Sequence, residues 1–190
     1  MSIDYNTLER ALLREDLAYH QARVLLLVNA VSKNPGHQRK LDGLTKLAKL
    51  DFLLRYPALA PKVLDRLPES DPRLNLSREE IATPTDVESP MVRYKYGPWD
   101  DRYYAIIGAL VGRGLLRYTR ARKGSVALAA TPEGRRLAEA MGAADDWKAL
   151  GERSEAIADA SSGMTGNAIK DLVYQRLDHL MDRPHRQVIR

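Results

Sequence analysis

From residue 5 to residue 32 apolar side chains recur at three- and four-residue spacing. Leu8, Leu12, Tyr19 and Leu26, with their neighbours, predict one helix. Within it the run ARVLLLVNAV is apolar nearly all round, which predicts a helix at the centre of the core. SKNPGHQ then breaks the period with Asn-Pro-Gly. LDGLTKLAKLDFLLRYP restores it. Leu44, Leu47, Leu50 and Leu54 form an apolar side, with Phe52 and Leu53 beside them and Lys46, Lys49 and Arg55 as charged positions. The residue before Pro57 disfavours the helical region, so this helix should end at Tyr56. ALAPKVLDRL predicts a short third helix.

Residues 68–90 lose the period. The segment carries six acids and few large apolar side chains, and seven of the ten prolines lie between Pro57 and Pro98. That composition predicts an extended, partly mobile surface insertion. MVRYKYG alternates and predicts a strand. PWDDRYYAIIGALVGRG predicts a helix over 98–113, with Pro98 in its first turn, Asp100 and Asp101 at the positive end of its dipole, and Gly114 at its stop. LLRYTRARKGSVALAA predicts a hairpin over 115–130 around a basic turn. TPEGRRLAEAM opens another helix, with Thr131 as cap and Pro132 at its first position. Residues 145–190 read as helical, with an apolar stripe of Ile169, Leu172, Val173, Tyr174, Leu177, Leu180 and Met181, and the last residues read as frayed.

The expected fold class is mainly α with a small β-hairpin wing: a winged helix-turn-helix with additional N- and C-terminal helices. The expected division is a winged-helix domain over 1–144 and a helical extension over 145–190. In such a fold residues 98–113 would be the recognition helix.

Charge sharpens this picture. The chain carries +5, yet residues 91–123 hold eight Lys and Arg against two Asp, a local excess of +6. Basicity confined to one stretch points to a polyanionic partner. Arg117, Arg120, Arg122 and Lys123 lie in or beside the hairpin turn with no acid among them. With Arg93 and Lys95 on the preceding strand, they are the candidate DNA-contacting residues, set to grip phosphates without reading sequence. The two acids at 100 and 101 would repel phosphates, and the free face of that helix, with Asp101, Ala105, Gly108 and Gly112, is small. Ala105, Gly108 and Gly112 are therefore candidates for a protein contact. So are Ile169, Leu172, Val173, Leu177 and Leu180, by helix pairing with a partner or in a homodimer.

Catalytic signals are weak. There is no phosphate-binding GxxxxGK[ST], no HExxH and no GxSxG elbow, and His20, His37, His179 and His185 lack metal-ligand spacing. Asp146-Trp147-Lys148 has the letters of a nuclease D-x-K, but on an expected helix rather than a strand. No catalysis, cofactor or metal is expected. There is no membrane-length apolar run and no signal-peptide pattern, and the absence of Cys suits the cytoplasm.

Four passages, LDGLTKLAKLDFLLRYP, VRYKYGPWDDRYYAIIGALVGRGLL, ALAATPEGRRLAEAM and GNAIKDLVYQRL, together resemble the winged-helix middle components of bacterial ABC-three-component systems of the Lamassu type. The resemblance implies a non-catalytic subunit encoded beside an SMC-like ATPase and an effector nuclease in anti-phage or anti-plasmid defence. It would bridge or regulate the ATPase and touch double-stranded DNA non-specifically. The alternative from the residues alone is a dimeric winged-helix regulator that binds a specific operator.

Overall fold

The computed structural model describes residues 16–121 and 125–190. Helix α1 (Leu17–Lys33) starts where the Asp16 carboxylate accepts the Ala18 and Tyr19 N–H groups, and every residue from Arg23 to Ser32 is buried. The central helix expected from ARVLLLVNAV is therefore present. The predicted residues 5–15 lie outside the described residues. A 3-10 turn, Pro35–His37, leads to β1 (Leu41–Asp42) and α2 (Gly43–Arg55), which stops before Pro57 as its sequence demands. The third helix shrinks to a 3-10 turn, Pro57–Leu59, followed by α3 (Ala60–Val63).

α2 departs from the expected one-sided pattern. Lys46, Lys49, Asp51 and Arg55 are all buried alongside its leucines. At Lys46, Asp51 and Arg55 the charge persists inside the protein because internal partners satisfy it.

The insertion at 68–90 is folded. It holds a 3-10 turn (Pro72–Leu74) and α4 (Arg78–Ala82), which opens on a Ser77–Glu80 capping box. Leu74 is fully buried, and the Arg153 guanidinium donates to the carbonyls of Leu74 and Asn75 and to Glu80. One arginine thus replaces the apolar anchoring that the segment's composition lacks.

The expected strand at 91–97 is a hairpin. β2 (Val92–Tyr94) pairs antiparallel with β3 (Gly97–Trp99) across the turn Lys95-Tyr96. Gly97 has φ +98, and a Cβ there would lie 3.2 Å from Lys49 Cε, so glycine is required twice over. Pro98 and Trp99 are consequently strand, and the helix α5 (Tyr103–Gly112) begins five residues later than expected. β4 (Leu116–Arg120) and β5 (Val126–Ala130) form the expected hairpin, and β1 adds to β5, giving the order β1-β5-β4. α6 (Pro132–Gly142) has the expected cap: Thr131 Oγ1 accepts the Gly134 N–H at 3.0 Å.

The tail comprises α7 (Asp145–Ala160), α8 (Gly166–Arg176) and α9 (Asp178–Met181). Ile157, Ile169, Val173 and Leu177 join the same hydrophobic cluster as Leu27, Phe52 and Ile106. The last residues are docked, not frayed. Arg93 N–H donates to the Gln187 carbonyl at 2.7 Å, Ile189 N–H to the Met91 carbonyl at 2.8 Å, and Ile189 is fully buried. The whole is mainly α, with one three-stranded antiparallel sheet and one two-stranded hairpin. Among the described residues no helix is long and apolar enough to cross a membrane.

Candidate nucleic-acid and partner interface

The pairing of β4 with β5 sets the basic surface. Arg120 stands opposite Val126 and Tyr118 opposite Leu128, so Tyr118, Arg120 and Val126 share one face while Arg117 points to the other. Arg117, Tyr118, Arg120 and Val126 are all exposed. Neither Arg117 nor Arg120 has a side-chain ion pair among the described residues. Arg122 and Lys123 lie outside the described residues. The loop before β1 adds two cations that the sequence reading missed. Arg39 is exposed, and Lys40 Nζ donates to the Arg120 carbonyl at 2.8 Å. Their adjacency to the hairpin follows from the β1–β5 pairing; only the dipeptide itself was visible in the sequence.

Arg93 is not a free cation. Its Nε donates to the Met181 carbonyl at 2.8 Å, its Nη1 donates to the Tyr94 carbonyl, and the guanidinium stacks 5.3 Å from the Tyr174 ring centre. It ties the β2–β3 hairpin to α8 and α9. Lys95, at the hairpin turn, is exposed and sits 5.4 Å over Tyr96.

On α5, Ala105, Gly108 and Gly112 are exposed, and nothing lies within 4 Å of where a Cβ would stand at either glycine. Tyr104, 70% exposed, projects beside them. The predicted C-terminal interface needs correction. Ile169, Val173, Leu177 and Leu180 are buried inside this chain, and Leu172 packs against the same core, because α8 lies against α2. That stripe completes the fold rather than offering a face.

Asp100 is also corrected. It is buried, accepts Arg55 Nη2 at 2.6 Å and Arg102 Nη2 at 2.8 Å, and does not sit in the first turn of α5. Burial alone would raise its pKa. The hydrogen bond from Arg102 and the charge of Arg55 instead hold it well below the usual carboxylate range. Asp101 is exposed and paired with Arg186 at 2.8 Å.

Asp100 belongs to a buried ionic network that the sequence reading missed. Asp51 accepts Arg23 Nε at 2.8 Å, Arg55 Nη2 at 2.7 Å and the Tyr103 hydroxyl at 2.7 Å. Burial opposes its ionisation, but Arg23 and Arg55 overcome that and hold its pKa well below the usual carboxylate range. Arg55 also donates to the Ser89 carbonyl, and Arg102 Nη1 lies 2.5 Å from His20 Nε2. The network locks α1, α2 and the approach to α5 together. It has the geometry of a structural clamp, with its donors already committed.

Lys49 is the opposite case, a buried amine with one hydrogen bond, to the Pro98 carbonyl at 3.2 Å. Burial, then the charges of Lys170 and Arg93, lowers its pKa to about 7. The folded state therefore binds this proton less well than the unfolded chain, where lysine titrates near 10.4. The amine costs stability at and below pH 7, and the cost fades as pH rises from 7 toward 10.4. Lys49→Met is expected to raise the stability measured by urea unfolding at pH 6.5 by a few kcal/mol, with the gain shrinking by pH 10. An equal gain at both pH values would contradict this.

Asp146, Trp147 and Lys148 lie on α7, and Trp147 packs 5.7 Å from Tyr19. Among the described residues no group of three or more His, Asp or Glu is arranged to hold a metal ion. The chain thus presents a mainly α fold with an exposed basic hairpin. No model of a known protein family matches it, and neither the curated proteins nor the solved structures gave a match.

Proposed function

We propose that this chain is a non-catalytic winged-helix subunit that assembles with an SMC-like ATPase and an effector nuclease in anti-phage or anti-plasmid defence, and that it contacts double-stranded DNA without reading sequence. The observation that carries the DNA contact is the pair of exposed arginines, Arg117 and Arg120, without an ion pair among the described residues, on a hairpin whose two strands are joined in sequence by a stretch that includes Arg122 and Lys123. The exposed Arg39 extends that charge, while Lys40 is paired with Asp42 at 3.8 Å. The succession α1, β1, α2, α5, β4, β5 and the strand order β1-β5-β4 support a winged helix-turn-helix with α5 as its third helix. The open face of α5 carries Ala105, Gly108 and Gly112, which offer no hydrogen-bonding side chain to a base edge but allow close approach of another helix. The ATPase and nuclease partners come from the resemblance of the four sequence passages, and the cytoplasmic setting from the absence of Cys and of a signal-peptide pattern.

A second reading, a dimeric regulator bound to a specific operator, is favoured by one finding. With Asp100 buried and Asp101 paired to Arg186, the start of α5 carries no unpaired acid to repel phosphates.

The triple variant Arg120→Ala, Arg122→Ala, Lys123→Ala separates these readings from a non-binding protein. It should weaken binding alike for unrelated duplexes and lower the slope of log affinity against log salt by roughly 2 to 3, the release of about 0.9 counterion per phosphate contact. An unchanged slope would remove the hairpin as a phosphate clamp. Co-purification with an SMC-like ATPase tests the assembly. A single palindromic site bound by the isolated chain with a large specificity ratio would replace it with the operator reading.

A further inference from the structure

A cleft of about 270 Å³ lies between α1, α6 and α7, and no residue of the basic strands β4 and β5 lines it. Its charge is opposite to theirs. Glu139, Glu152 and Glu155 line it, against Lys33 alone. Lys33 is already paired with Glu139 at 3.1 Å. Glu152 and Glu155 have no ion pair or side-chain hydrogen bond among the described residues.

Two helix ends add to this. Asn29 and Lys33 sit in the last turns of α1, and Glu139 in the last turn of α6, which has no basic residue there. Helix carboxyl ends carry partial negative charge and favour cations. A glutamate in such a turn is placed against the dipole, so the fold concentrates negative potential at this cleft.

An independent observation points to a donor-bearing ligand. Asn29 lines the cleft at 6% exposure, and its Oδ1 is buried with no hydrogen-bond partner among the described residues. An acceptor in that state is costly unless a donor arrives. Gly142 and Gly151 line the cleft where α6 and α7 approach closely, since a Cβ at Gly151 would stand 3.3 Å from Gly142 Cα.

We propose that this cleft receives an arginine side chain from a basic segment of a partner protein. A guanidinium supplies several donors in a plane, enough for the Asn29 oxygen and a carboxylate at once, and it loses its hydration more easily than an ammonium. The volume suits one side-chain head rather than a chain of charges. The site does not depend on the ATPase or DNA readings and stands if either fails.

Titration of ¹⁵N-labelled protein with N-acetyl-arginine amide tests it. Saturable shifts are expected at the Asn29 side-chain NH₂ and at the Gly142 and Gly151 N–H groups, with a tighter response to an arginine-rich hexapeptide. The double variant Glu152→Gln, Glu155→Gln, at positions exposed enough to leave the fold intact, should weaken binding roughly tenfold. Asn29→Leu should abolish the preference for arginine amide over lysine amide while keeping the carboxylates. Absence of saturable shifts, or shifts unchanged in the double variant, would overturn the site. Spermidine binding more tightly than the peptide would overturn the assignment to a partner's side chain.

Discussion

Asp51→Ala is expected to bring the chain to the edge of unfolding. The variant leaves the guanidiniums of Arg23 and Arg55 buried beside each other without the anion that now binds both, and it strands the Tyr103 hydroxyl. Removing one partner from a buried ion pair costs about 3–5 kcal/mol. That is a large share of the 5–15 kcal/mol that holds a typical domain together. Tyr103→Phe is the informative contrast. It deletes one hydrogen bond to Asp51 but keeps both arginines paired, so its cost should be about 1–3 kcal/mol. The urea midpoints of the two variants should differ clearly. Comparable midpoints would mean that Asp51 is not the keystone of the network.

The same carboxylate sets an acid limit. Asp51 and Asp100 both have native pKa values below the range of unfolded carboxylates. Their contribution is therefore present above pH about 4 and is lost as pH falls below it. The network also bears on the proposed function. It fixes α5 against α1 and α2, so the orientation of the exposed Tyr104–Gly112 face depends on charges that never reach solvent.

Elements whose signals are local were legible in the sequence. The buried run of α1, the stop of α2 at Pro57, the β4–β5 hairpin and the Thr131-Pro132 start of α6 each depend on neighbours within a few residues. Pro98-Trp99-Asp100-Asp101 misled because its letters are also those of a helix start. Its fate was decided elsewhere, by Gly97 turning the chain back against β2 and by Arg55, 45 residues earlier, drawing Asp100 inward. The burial of the charged positions on α2 was not legible for the same reason: Asp51 is held by Arg23 of α1 as well as by Arg55, Lys46 by the 161–165 loop, and Lys49 lies against β3, all but Arg55 remote in sequence. Of the candidate sites, the hairpin cations were visible in composition alone. The acidic cleft was not, because Lys33, Glu139 and Glu152 come together only through the packing of α6 and α7 on α1 and on each other.

The C-terminal residues supply the second large effect. Ile189→Asp should destabilise the chain by several kcal/mol, and deletion of residues 186–190 at least as much. Ile189 is fully buried, and an unpaired carboxylate there would have to be desolvated or protonated. The backbone matters as much as the side chain. Ile189 N–H serves the Met91 carbonyl, the Gln187 carbonyl takes Arg93 N–H, and the Tyr56 hydroxyl, which accepts Met91 N–H at 2.9 Å, donates to the Ile189 carbonyl at 2.9 Å. Deletion would leave the β2 edge and the buried Tyr56 hydroxyl without these partners. Ile189→Ala keeps the backbone bonds and removes only the apolar contact, so a loss of about 2–5 kcal/mol isolates the packing contribution. For a chain of this length each kcal/mol moves the melting temperature by about 2–4 °C. The alanine variant should therefore melt roughly 5–15 °C lower, and the deletion lower still. Because this tail braces the β2–β3 hairpin that precedes α5, loosening it should also make the Lys95-Tyr96 turn an early site of proteolysis. If the deleted chain melts within a degree or two of the intact one and resists proteolysis at that turn, the tail is decoration and the hairpin is held by Arg93 and α8 alone.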